Sequence, residues 1–155
     1  TEAKGSDSYT ITGEFIANEY NKNTLNLTEG TIAMARSDYS SQAPTLTTES
    51  YNSGSSQFFI MTSNEHTNLS GYYAGFGKVI EGLDVVKEIS NVECKAKETS
   101  EENSEDAEVS TPVTDVIISS VSVDTKGVNY EMPKTLQPFN YMKWLYAQYG
   151  LTYSE

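Results

Sequence analysis

The side chains that usually do covalent or metal chemistry are scarce in this sequence. It has one cysteine, Cys94, one histidine, His66, and one arginine, Arg36. A lone cysteine cannot close an internal disulfide, and a zinc site draws three or four Cys, His or acidic ligands together. No metal and no cofactor is therefore expected. Cys94 lies in Val92-Glu93-Cys94-Lys95 beside a charged run and reads as a structural or bystander thiol. The acidic residues Glu98, Glu101, Glu102, Glu105, Asp106 and Glu108 fall in a stretch, 93–110, without an aromatic residue. A calcium loop would alternate Asp, Asn and Gly, so this stretch reads as a solvated loop. What remains is aromatic and apolar, above all Gln57-Phe58-Phe59-Ile60. Phe58 and Phe59 read first as core residues, and strand alternation sends one to each face.

The elements that must position these residues are mainly strands. Tyr9–Phe15 alternates apolar with polar or small residues, Thr31–Ala35 is a short apolar run, and Ser56–Met61 is the strongest core strand. Ala74–Val79 and Val113–Val123 complete the set, the last with Val116, Ile118 and Val121 as its buried side chains. Between them, Arg36–Ser55 is polar, contains Pro44 and reads as a long surface loop. Leu83, Val86 and Ile89 are spaced by three behind Gly82, which predicts a short amphipathic helix over Leu83–Ser90. Pro138 opens a second helical pattern, with Phe139, Met142, Leu145, Tyr146 and Tyr149 on one face and Gly150 as its stop. That stripe is read as packing on its own domain, with partner docking as the alternative. No βαβ rhythm points to a parallel sheet.

The 155 residues, 37% hydrophobic and 21% charged, suffice for one domain with a core. The formal net charge of −12 argues against nucleic acid or an anionic membrane as partner. No apolar run approaches the ~18 residues of a membrane span. Thr1 to Ser8 has no apolar targeting core.

Five local patterns occur in one order. They are Gly30-Thr31-Ile32-Ala33-Met34-Ala35-Arg36; Asn52-Ser53-Gly54-Ser55-Ser56-Gln57-Phe58-Phe59-Ile60; Leu69-Ser70-Gly71-Tyr72-Tyr73-Ala74-Gly75-Phe76-Gly77-Lys78-Val79; Glu81-Gly82-Leu83-Asp84-Val85-Val86; and Pro112-Val113-Thr114-Asp115-Val116-Ile117-Ile118, with Gly13-Glu14-Phe15 before them all. In this order and spacing they resemble the cyclophilin-type peptidyl-prolyl cis–trans isomerases, bacterial members especially. The resemblance covers roughly residues 9 to 123.

The resemblance implies a mainly β fold, a closed antiparallel eight-stranded barrel with capping helices, of which residues 1–128 would be the C-terminal two-thirds and 129–155 an extension. The first strands of that barrel are not in this chain. It implies rotation about X-Pro bonds of unfolded or extended protein segments. By motif, Phe59 would floor a proline pocket, Leu69 and Tyr73 would wall it, Gln57 and Ala35 would border the neighbouring pocket, and the backbone at Arg36 would hold the peptide extended. Tyr73 stands where many relatives have His, and Asn68 where many have Trp. The loop 37–55 is longer than in relatives and would sit beside the second pocket. The family's catalytic Arg, in a Phe-His-Arg segment, has no counterpart in these residues, since Arg36 belongs to another motif. An N-terminal fragment of the same protein is accordingly expected as a partner. The alternatives are a non-catalytic proline-peptide module and a structural barrel that docks through its acidic loop or terminal helix. The Asn-, Tyr- and Thr-rich style favours a bacterial exported or lipoprotein setting over a cytoplasmic one.

Overall fold

The computed structural model describes residues 9–96 and 109–154. The chain divides into two compact units. One runs up to Val79 and resumes at Met132; the other is Ile80–Glu131.

The first unit is organised by a three-stranded antiparallel sheet. Its centre is β2 (Thr31–Met34), flanked by β3 (Phe58–Ile60) and β4 (Gly75–Lys78). Ala33 lies opposite Phe59 and opposite Gly75, and the β2–β4 register shifts between Ile32 and Ala33. One face carries the core: Leu27, Ala33 and Met61 are buried, with Phe59, Leu69 and Tyr73 packed against them. The other face presents Met34 and Phe58, paired across strands, and Ile32 and Ile60, also paired. Phe58 and Phe76 are exposed. Alternation thus splits Phe58 from Phe59, and the side that buries its residue is the one holding Phe59. Gly30, at φ 81°, turns the chain into β2 while bonding both flanks: its N–H donates to the Met61 carbonyl and its carbonyl accepts from the Val79 N–H. Few residues other than glycine hold that left-handed conformation cheaply.

A two-residue strand, β1 (Thr10–Ile11), pairs antiparallel with β7 (Thr135–Leu136), which ties the C-terminal extension to the first unit. The predicted strand Tyr9–Phe15 is shortened to Thr10–Ile11 because the chain beyond it bonds elsewhere: the Gly13 N–H donates to Asn52 Oδ1. The segment read as a featureless loop, Arg36–Ser55, contains a 3-10 turn at Pro44–Leu46 and a helix α1 at Thr47–Tyr51. Pro44 is the signal that was present, since proline is pre-set for a first helical turn. The polar composition hid it, because the helix buries only Ser50, with Leu46 buried just before it. Ser50 is fully inside, and its hydroxyl donates to the Leu46 carbonyl and accepts the Tyr39 and Ser40 N–H groups. Ser50→Ala leaves those two N–H groups without their acceptor and is expected to cost about 2 kcal/mol in urea unfolding. A loss below ~0.5 kcal/mol would show that water takes over the role.

The C-terminal helix α3 (Tyr141–Gln148) starts later than Pro138. Asn140 caps it, its side chain accepting the Lys143 N–H, and Pro138 lies outside. Of the predicted stripe, Phe139 packs on its own unit, meeting Tyr39 edge-on at 5.1 Å, whereas Met142 and Tyr149 are exposed and it is Tyr141, outside the stripe, that stacks on Tyr39 at 5.9 Å. Trp144 in turn stacks on Tyr141 at 5.7 Å.

In the second unit, helix α2 occupies Leu83–Ser90 as predicted. The two ends of the stretch expected to be a loop over 93–110 are strands, β5 (Cys94–Ala96) paired with β6 (Val109–Pro112). Its acidic interior, 97–108, lies outside the described residues. The strand expected over Val113–Val123 does not form. After the Val113 N–H donates to the Glu93 carbonyl, no ladder continues among the described residues, and Ile118 and Val121 are 65% and 79% exposed. An alternating apolar pattern buries nothing without a neighbouring strand to fix its face.

The expected closed eight-stranded barrel is likewise not formed by the described residues, which make one three-stranded and two two-stranded sheets. Closure needs an unbroken ladder around the ring, and here the ladder ends at β3 on one side and β4 on the other.

Candidate functional site

The site residues lie along β2, β3 and the turn before β4. Phe59, on the core side of β3, meets Tyr73 edge-to-face at 5.4 Å. Leu69 ends the 3-10 turn Thr67–Leu69 and accepts the Tyr72 N–H at its carbonyl, and Ser70 bridges Tyr73. That short turn folds Tyr73 back over the sheet. Ser70 Oγ accepts the Leu27 N–H, so the turn is fastened to the residue at the centre of the core. Phe59, Leu69 and Tyr73 are thus brought together, half-buried, on one patch.

Ala35 and Gln57 are neighbours through backbone, the Ala35 N–H donating to the Gln57 carbonyl at 3.0 Å. Arg36 follows. Its ε N–H donates to the Tyr72 carbonyl at 3.1 Å and an η N–H to the Ser37 carbonyl at 3.2 Å. Its guanidinium carbon lies 4.5 Å from the Tyr73 ring centre, 5.2 Å from Tyr51 and 5.9 Å from Phe15. All three are within cation–π range. Tyr73 therefore joins the two groups of site residues, in a T-shaped contact with Phe59 and with Arg36 over its ring.

Ala35 and Arg36 also border a cavity of about 210 Å³, walled by Ile11, Phe15, Met34, Tyr51 and Phe76, with Glu14 at its rim. Gln57, Phe59, Leu69 and Tyr73 do not line that cavity. The six expected residues thus form two adjoining places rather than one recess.

Sequence reasoning missed the part played by the long loop. Tyr51, at the end of α1, supplies one ring to Arg36 and meets Phe15 edge-on at 5.1 Å. Asn52 fixes this corner: its Oδ1 accepts the Gly13 N–H and an Asn18 amide N–H, and its amide donates to the Thr48 carbonyl. The loop's first turn is held by Asp38. The Ser40 hydroxyl bonding to it, then the Arg36 charge nearby, keep the Asp38 carboxyl below its usual range. Among the described residues, no group of three His, Cys, Asp or Glu side chains is placed to hold a metal.

Phe59, Leu69 and Tyr73 thus form an apolar, aromatic patch on the sheet, beside the backbone pair Ala35 and Gln57. The chain belongs to the cyclophilin type peptidyl-prolyl cis-trans isomerase/CLD family, whose model matches residues 1–123. It is 37% identical over 119 residues to peptidyl-prolyl cis-trans isomerase B of Escherichia coli, an alignment covering 72% of this chain and 60% of that protein. It is 43% identical over 81 residues to a peptidyl-prolyl cis-trans isomerase of Acinetobacter baylyi, covering 50% of this chain and 37% of that protein. The chain thus matches well under two-thirds of the length of either relative. No solved structure matches it.

Proposed function

We propose that this chain carries the proline-binding part of a peptidyl-prolyl cis–trans isomerase acting on extended or unfolded protein segments. The observation that carries this is the Phe59–Leu69–Tyr73 patch, in a member of the family named for that activity. Rotation about the X-Pro bond is opposed by a barrier of about 20 kcal/mol from amide resonance. It needs no nucleophile or metal. It needs an apolar seat for the ring, a hold on the flanking chain and a donor to the proline nitrogen. In this reading Phe59 floors the seat, Leu69 and Tyr73 wall it, and Ala35, Arg36 and Gln57 hold the flanking backbone as an added strand. Asn68, at the position where many relatives carry Trp, leaves that wall lower.

The donor, and the strands that would close a barrel, are not found among the described residues. The open face of β3-β2-β4, with Phe58 and Phe76 exposed, is an apolar sheet face of the kind that pairing strands cover. We assign that cover, and the catalytic arginine, to an N-terminal portion of the same protein. A native mass measurement on the purified protein tests this: a folded monomer of 17.1 kDa alone would contradict it.

Activity is tested on intact protein with a protease-coupled assay on an Xaa-Pro peptide. Phe59→Ala removes the floor against which the ring loses roughly 80 Å² of apolar surface. This is a loss of about 2 kcal/mol and ~30-fold in kcat/KM, with thermal melting as the check on folding. Peptide binding without rate enhancement would favour the second reading, a non-catalytic proline-peptide module. That reading is prompted by the only arginine being engaged at the Tyr73 face. Absence of both binding and rate enhancement would overturn the proposal.

A further inference from the structure

We propose that the Arg36 guanidinium is a selectivity determinant of this site, favouring proline segments that carry a carboxylate residue beside the isomerising bond. The inference rests on the prolyl-site reading above and names the substrate class that the site prefers. Four observations carry it.

First, Arg36 is the only arginine of a chain whose formal net charge is −12. It stands at the candidate site. Second, its guanidinium carbon lies over three aromatic rings, Tyr73 nearest at 4.5 Å. Rings packed against a guanidinium limit its rotation and leave its hydrogen-bonding edge to other partners. Third, that edge is only partly used. Backbone carbonyls of Tyr72 and Ser37 take one N–H each, and a guanidinium has five. Fourth, no carboxylate of the described residues forms an ion pair with it. The acidic groups near it are Asp38, whose carboxyl feels the Arg36 charge but is hydrogen-bonded to Ser40, and Glu14, which lines the adjoining cavity.

A planar cation held in this way fits an incoming carboxylate through two parallel N–H···O bonds. Its position sets where that carboxylate must be. Tyr73 is shared, touching both Arg36 and Phe59, so the guanidinium is one ring removed from the proposed seat of the proline. Two or three residues of extended chain, at ~3.3 Å each, cover that span. A glutamate or aspartate flanking the Xaa-Pro pair is thereby within reach. A lysine in its place would meet the same charge and be disfavoured.

The test measures both binding and catalysis on intact protein, with peptides Xaa-Ala-Pro-Phe and Ala-Ala-Pro-Xaa in which Xaa is Glu, Ala or Lys. The overall negative charge repels acidic peptides, so the readout is the Glu:Lys ratio and its change on substitution. Arg36→Gln is expected to lower that ratio about five- to ten-fold at one of the two positions. Arg36→Lys, which keeps the charge but loses the planar edge, falls between. In the wild type, the ratio falls as salt rises to ~0.5 M, a measurement that stands even where a variant folds poorly. A ratio unchanged by both Arg36→Gln and salt overturns the inference while leaving isomerase activity intact. A Glu preference in binding that Arg36→Gln abolishes, without rate enhancement for any peptide, upholds it and overturns the isomerase reading instead. No binding of any peptide overturns both.

Discussion

Leu27→Ala lowers the unfolding free energy by about 3–4 kcal/mol. Leu27 has 0% of its surface exposed and sits where the candidate site meets the core. Ala33 and Met61 share its burial in that cluster, so its removal leaves a cavity at the centre of the packing. Phe59, Leu69 and Tyr73 rest against the same cluster, and the Leu27 N–H is the donor to Ser70 Oγ, at the root of the turn that carries Tyr73. The substitution is therefore expected to act twice, shifting the urea midpoint and loosening the aromatic patch. Both are measurable: chemical denaturation gives the first, and the near-ultraviolet circular dichroism of Tyr73 and its neighbours the second. Domain stabilities of 5–15 kcal/mol leave little margin for such a loss. A cost under 1 kcal/mol would mean that Leu27 is not the centre of the packing described. Leu27→Val, which keeps most of the volume, should recover more than half of the stability.

Gly13→Ala is the second. A Cβ built on Gly13 would lie 2.2 Å from the Tyr51 carbonyl oxygen and 2.4 Å from the Phe15 ring. The first of these neighbours is backbone and cannot rotate away. The close approach exists because the Gly13 N–H bonds to Asn52 Oδ1 and the Gly13 carbonyl accepts an Asn18 amide N–H, drawing the segment after β1 against the end of α1. Adding one methyl must part these segments, a cost of about 3 kcal/mol at the upper end of overpacking effects. The displaced residue is Tyr51, one of the rings over Arg36. Amide hydrogen exchange across 37–55 should accelerate in Gly13→Ala while that of β2 and β3 stays slow. Uniform acceleration through the sheet would show instead that the loop and sheet open as one unit.

These two residues also show how far the sequence could be read. Gly13 was visible in Gly13-Glu14-Phe15 as part of a pattern, but not why it had to be glycine. The reason is the Tyr51 carbonyl, 38 positions away in the chain. Leu27 lies among polar neighbours, Asn23, Thr24, Asn26 and Thr28, yet it is fully buried. Local composition reports the polarity of a segment, whereas burial of one residue within it is decided by what packs against it. The same holds for α1, whose helix is short and mostly polar outside Ser50 and Leu46.

By itself the sequence determined the family, through patterns in a set order. It also determined what depends on neighbours a few positions away: the span of α2 and the alternation that separates Phe58 from Phe59. Only the tertiary structure decided what depends on partners distant in the chain. It left Val113–Val123 unpaired, because a strand needs a neighbour as well as a pattern. It placed the C-terminal extension against Tyr39 and β1. It also set Arg36 among Tyr73, Tyr51 and Phe15. Those rings come from three separate segments, and no spacing along the chain could have brought them around one guanidinium.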